Sequence, residues 1–156
     1  MEKGTGRPEK VELFFNREDS LHDMIADHVR RLKRASVFLT TFSLSEIAIR
    51  TFIELFEEGE LLALTIITDH TVRKNKLDML LFANENASIY LTDVHAKIAH
   101  IYNESEAVVI LSTSNLNAIK RYEAGAIFYD PAHVAYFKQK IIELINDSIP
   151  FEPNEP

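Results

Sequence analysis

Apolar positions change their spacing several times along the chain, and each change marks an element. Val11 to Phe15 reads as a first strand. Asn16 can cap a helix with Asp19 in its first turn, and Leu21, Ile25, Val29 and Leu32 recur at helical spacing through Arg34. Ala35 to Phe42 reads as a second strand. Ser43 and Glu46 form a capping-box pattern that opens a helix, whose buried stripe is Ile49, Phe52, Ile53 and Phe56. Gly59 fits its left-handed terminating position. The nearly continuous apolar run Leu61 to Ile67 predicts a central strand covered on both faces, and strand, helix, strand implies a parallel crossover. A short helix over Leu77 to Phe82, a strand over Ala87 to Leu91 and a long hairpin from His95 to Asn115 come next. Tyr122 to Tyr129 is another strand. Asp130-Pro131 is a cap with proline in the first helical position, and Phe137, Ile141, Leu144 and Ile145 line a final helix reaching about Asp147.

This order predicts an α/β fold, a mixed β-sheet with helices on both faces. One domain is expected over residues 11–148, with a flexible lead over 1–10 and a tail over 149–156. A chain of 156 residues buries roughly 70% of the surface its unfolded form exposes, enough for a proper core. Hydrophobic residues at 46% and charged residues at 26% exclude a disordered chain. The absence of cysteine excludes disulfides, thiolate metal sites and a cysteine nucleophile. Nothing resembles a secretory leader or a run of about 18 apolar residues, so a cytoplasmic location is expected. A net charge of -7 disfavours generic binding to phosphate polymers. Any nucleic-acid contact must then come from a local patch, for which Arg73, Lys74 and Lys76 are the better candidate. The basic run ending at Arg34 is read as dipole-complementing, solvated charge.

Chemistry concentrates in the hairpin. On a strand, His95 and Lys97 project to one face, setting an imidazole beside a cation. After the apolar run Ala107 to Leu111 come Ser112, Thr113 and Asn115, with Thr113 and Asn115 expected on a shared face. Asp93, His95 and His100 are too poorly aligned by strand alternation for a metal site, and no metal or other cofactor is expected. A serine nucleophile at Ser112 or Ser114 lacks a glycine-flanked elbow.

His95-x-Lys97, the apolar hairpin, Ser112-Thr113-x-Asn115 and Glu123 together resemble the signature of the phospholipase D superfamily, with Tyr102 standing where the family aspartate falls and Ser112-Thr113 where Gly-Ser is usual. The resemblance spans roughly residues 11 to 146. It implies metal-independent phosphodiester cleavage through a phosphohistidine at His95, with Lys97 and Asn115 stabilising charge on phosphate, Thr113 and Ser112 contacting it, and Glu123 orienting a motif histidine. The family mechanism also uses a second histidine as acid. With a single His-x-Lys motif, the second copy is expected from a homodimer sharing one site. A nuclease is the leading expectation. Another phosphodiester hydrolase, such as a lipid enzyme, and a catalytically degenerate phosphate- or nucleic-acid-binding module or complex subunit are the alternatives.

Overall fold

The computed structural model describes residues 10–117 and 119–153, so most of the expected lead and the last part of the expected tail lie outside the described residues. The elements are β1 (Val11–Asn16), α1 (Leu21–Leu32), β2 (Ala35–Thr41), α2 (Glu46–Glu57), β3 (Leu61–Asp69), α3 (His70–Asn75), α4 (Leu77–Asn84), β4 (Ser88–Thr92), β5 (Lys97–Tyr102), β6 (Ala107–Ser112), β7 (Glu123–Phe128), α5 (Pro131–Asn146) and β8 (Ile149–Pro150). They build an eight-stranded sheet in the order β1-β7-β6-β5-β2-β3-β4-β8. β2, β3 and β4 run parallel, and the other pairs are antiparallel. The α/β class, the mixed sheet and the parallel crossover through α2 are as expected.

Strand alternation divides the sheet. Val37 and Leu39 of β2, Ala99 and Ile101 of β5, and Val108 and Ile110 of β6 join Ile25, Val29, Ile49 and Phe52 of α1 and α2 in the main core. The alternate positions face α5, which packs on β5 and β6 and sets Phe137 against Phe128 with ring centroids 5.4 Å apart.

Three local assignments differ from the sequence pattern. Ser20, not Asn16, caps α1 by accepting from the Asp23 amide. Asn16 ends β1, and its side-chain oxygen accepts from the Glu18 and Asp19 amides to turn the chain. The helix stops at Leu32 because Lys33 and Arg34 take positive φ values of 68° and 49°, and the Asn103 side chain donates to the carbonyls of Leu32 and Lys33. Ser45, not Ser43, caps α2; the Ser43 carbonyl instead accepts from the Thr41 hydroxyl. Gly59 does take the positive φ, 77°, that terminates the helix.

Residues 149 and 150, placed in a tail by the sequence pattern, pair with β4, and Phe151 is buried in the core. β1, although it opens a strand-helix-strand run, crosses to the far edge and pairs antiparallel with β7.

Candidate active site

The carboxyl ends of β1, β2, β3 and β6 and the amino ends of β5 and β7 meet at one end of the sheet, and the candidate residues gather there. β5 begins at Lys97, so His95 precedes the strand rather than lying in it. It is nevertheless held against Lys97: the ammonium donates to His95 Nδ1 over 3.3 Å. The imidazole is exposed and its ring lies 4.4 Å from that of Phe42, centroid to centroid. A lysine ammonium has no acceptor, so Nδ1 must be the accepting nitrogen and a neutral ring carries its proton on Nε2.

Two buried or half-buried side chains from elsewhere in the chain fix this segment. Thr40 donates to the Ala96 carbonyl at 2.9 Å and accepts from the Ile98 amide at 3.0 Å. Asp69 Oδ2 accepts from the Val94 amide at 3.2 Å, while its Oδ1 accepts from the Thr71 amide and hydroxyl. Partial burial raises the Asp69 pKa, but these hydrogen bonds outweigh it and hold the carboxyl below the ordinary aspartate range. Asp69 therefore stays ionised and ties the end of β3 to the turn before His95.

On β6 the strand stops at Ser112, so alternation no longer governs the residues beyond it. Ser112 faces inward in register with Lys97 and Gly125, is buried, and accepts from the Ser114 amide at 3.0 Å. Thr113 turns to β7: its hydroxyl donates to Glu123 Oε1 at 2.7 Å and accepts from the Ala124 amide at 3.1 Å. The shared face expected for Thr113 and Asn115 is thus replaced by a bend, with Thr113 committed to Glu123. Among the described residues Glu123 makes no hydrogen bond to His95; Thr113 is its partner. Asn115 is half-buried, and its side-chain oxygen is buried without a partner, a state that folded proteins rarely leave uncompleted.

Gly125 explains how β7 comes this close. A Cβ there would stand 2.0 Å from the Leu111 carbonyl oxygen and 2.5 Å from the Phe14 ring, so only glycine lets β1, β6 and β7 stack beside Glu123.

Beside Glu123 and Ser114 lies a cleft of about 110 Å³ bordered by His22, Arg17, Lys120 and Arg121. His22 is buried with Nδ1 unpartnered; burial lowers its pKa, with Asp23 acting in the opposite sense. The sequence pattern did not single out Thr40, Phe42, His22 or Asp69. Only Asp69, just past the apolar run of β3, carried a local signal.

No family model and no curated protein matches the sequence. Among solved structures, NucT from Helicobacter pylori superposes with a TM-score of 0.72 at 17% identity, over 91% of this chain and 99% of that one. Nuc from Salmonella typhimurium, a phospholipase D family member, superposes with a TM-score of 0.67 at 14% identity, over 91% of this chain and 97% of that one. The fold is the phospholipase D fold. The archaeal chromatin protein TrmBL2 is also similar, with a TM-score of 0.58 at 15% identity, over 96% of this chain and 57% of that one.

Within this phospholipase D fold the basic side chains of residues 73–76 do not act as one group. The Arg73 guanidinium lies 5.2 Å from the Phe151 ring centroid, Lys76 donates to the Leu44 carbonyl at 3.4 Å, and Lys74 is exposed. Arg30 and Arg31 are engaged by Glu58 and Glu106. Among the described residues no three His, Asp or Glu side chains are grouped to hold a metal ion, and no helix is long and apolar enough to cross a membrane.

Proposed function

We propose that the protein is a metal-independent phosphodiesterase, a nuclease in its leading form, working through a phosphohistidine at His95 in a site completed by a second copy of the chain. The observation that carries this reading is the 3.3 Å contact between His95 and Lys97 at the sheet end where Thr113, Asn115 and Glu123 also lie. In the resting arrangement Nε2 holds the proton. A phosphate that draws the Lys97 ammonium onto its own oxygens releases Nδ1 to carry the proton, leaving Nε2 unprotonated for attack. Nε2 then bonds to phosphorus as the bond to the leaving oxygen breaks, and the protonated imidazole of the second copy's His95 protonates that oxygen. Water, deprotonated by that same second imidazole, next attacks phosphorus and releases His95 and a phosphate monoester. Lys97 and Asn115 offset the charge gathering on the non-bridging oxygens.

Glu123, through Thr113, holds the bend that delivers Asn115. Arg73, Lys74 and Lys76 remain candidates for contact with the phosphate backbone of a longer substrate, Lys74 foremost because it is exposed and, unlike Lys76, not engaged by a backbone carbonyl.

The test is incubation of the full chain with single- and double-stranded DNA, RNA and a phosphatidyl substrate, with and without chelator. Cleavage of a nucleic acid that persists in chelator and disappears in His95→Ala supports the reading; cleavage that requires added metal overturns it. A second reading, a binding module without turnover, is favoured by one observation: Ser112 is buried with its hydroxyl committed to Ser114. It would appear as nucleic-acid binding with no cleavage of any substrate.

A further inference from the structure

A second cavity lies at the opposite end of the sheet. β5 passes from Lys97 to Tyr102, five residue steps or roughly 17 Å, and at its far end an open cavity of about 500 Å³ lies between the β5-β6 hairpin and the first half of α5, with His100, Tyr102, Tyr129, Val134 and Lys138 in its lining. That volume is in the range that accommodates small ligands, about 300 to 1,000 Å³.

Three features of its walls point to one ligand chemistry. His100 and Tyr102 of the lining cluster with Phe38 behind them as nearly parallel rings, with centroids 6.2 Å apart for Phe38 and His100, 4.9 Å for His100 and Tyr102 and 5.8 Å for Phe38 and Tyr102. Tyr102 belongs to this cluster and is half-buried in the cavity lining, so a planar ring entering the cavity can pack on it. His100 is 2% exposed, and its Nδ1 is buried without a hydrogen-bond partner, a cost that a purely structural histidine in a sheet would not ordinarily carry. Burial, reinforced by Lys138, lowers its pKa to about 4, so the ring is neutral and offers hydrogen bonds rather than charge.

The third feature is the charge pattern. Lys138 is exposed on α5 and makes no hydrogen bond or ion pair among the described residues. Of the two acids on the hairpin, Glu106 is occupied by Arg31, and Glu104 projects at the exposed rim. The hairpin itself is preformed: Asn103 donates to the Leu32 carbonyl at 2.7 Å and accepts from the Ser105 and Glu106 amides at 2.8 and 2.9 Å.

We propose that this cavity binds a mononucleotide, with its base on the Tyr102 ring, a polar edge of the base or sugar toward His100, and its phosphate paired with Lys138. Tyr102 occupies the position of the family aspartate, so the departure from the family pattern supplies the stacking wall. The site does not depend on the phosphodiesterase reading, since none of its residues belongs to the candidate active site.

Calorimetric titration of the full chain with AMP tests it, with ribose 5-phosphate as the ringless control. Saturable binding is expected in wild type and in His95→Ala, weakened about tenfold or more in Lys138→Gln and also weakened in Tyr102→Leu. Ribose 5-phosphate should bind more weakly than AMP. Lys138→Gln changes an exposed residue and should fold normally, so its result stands even if Tyr102→Leu does not. Absence of AMP binding at millimolar concentration overturns the proposal, as does binding that survives Lys138→Gln. Binding lost in His95→Ala would assign the nucleotide to the candidate active site instead.

Discussion

The Lys97 ammonium donates to Nδ1 of His95 across 3.3 Å, so the lysine that would grip the substrate is the same group that sets the tautomer of the proposed nucleophile. Lys97→Met should therefore lose both charge stabilisation and control of the imidazole. Cleavage of a phosphodiester substrate should fall further in Lys97→Met than in Asn115→Ala, where loss of one donor costs about 2 to 4 kcal/mol. Single-turnover rates measure both, and equal rates in Lys97→Met and wild type would remove Lys97 from the mechanism.

In the proposed mechanism one His-x-Lys motif supplies one attacking imidazole, and in-line displacement also needs a proton donor for the departing oxygen. Mixing wild type with excess His95→Ala chains, under conditions that allow subunit exchange, should suppress activity beyond simple dilution. Activity proportional to wild-type chains, together with a monomeric mass in sedimentation, would contradict a shared site.

Thr40 is buried and supports the His95 segment with two hydrogen bonds. Thr40→Val keeps the shape but removes the hydroxyl partner of the Ala96 carbonyl and the Ile98 amide. A loss of about 1 to 3 kcal/mol is expected, read as a lower urea midpoint at unchanged slope. An unmoved midpoint would mean that the hydroxyl does not hold this strand start.

Gly125→Ala places a methyl group 2.0 Å from the Leu111 carbonyl oxygen, a contact that a backbone atom cannot swing away from. Separating β6 from β7 should cost about 3 kcal/mol or more, visible as a large drop in melting temperature. A fully folded variant of unchanged stability would show that the strands can part without penalty.

His100 contributes a pH dependence whose sign is set by its lowered pKa. The folded state keeps it neutral down to about pH 4, whereas the unfolded chain binds a proton near its ordinary value of 6.5. The unfolded state binds more protons between those values, so this contribution to stability is fully present above 6.5, declines as pH falls and is exhausted near 4. The decline should amount to roughly 3 kcal/mol at most. Comparing denaturation of wild type and His100→Phe across this window isolates it, and identical pH profiles would show that His100 titrates normally in the folded protein.

Local grammar made much of this protein legible. Gly59 ends α2 because only a positive φ fits there, and Asp130-Pro131 starts α5 because a capping carboxylate and a fixed proline φ act within one turn. The apolar runs of β5 and β6 required a hairpin, and the two-residue spacing of His95 and Lys97 keeps them near one another whatever the tertiary contacts. Ser20 and Ser45 were harder to find, since Asn16 and Ser43 satisfy the same capping chemistry nearby. The choice fell to where β1 and β2 stop in the sheet, which no local pattern encodes.

The fit of the site was decided by the tertiary structure. Asp69 reaches the Val94 amide across 25 positions, and Thr40 reaches the Ala96 carbonyl across 56; neither partner can be inferred from spacing, because hydrogen bonds of that range exist only after the strands are paired. Thr113 was expected beside Asn115 by alternation, but alternation ends with the ladder at Ser112, and Glu123 on the next strand takes the hydroxyl. Likewise β8 shows no periodicity in two residues and becomes a strand only because β4 presents an edge to it. The sequence by itself determined which groups could do the chemistry and on which elements they lie. Strand pairing decided which of them meet, because that geometry comes from backbone register between segments far apart in the chain.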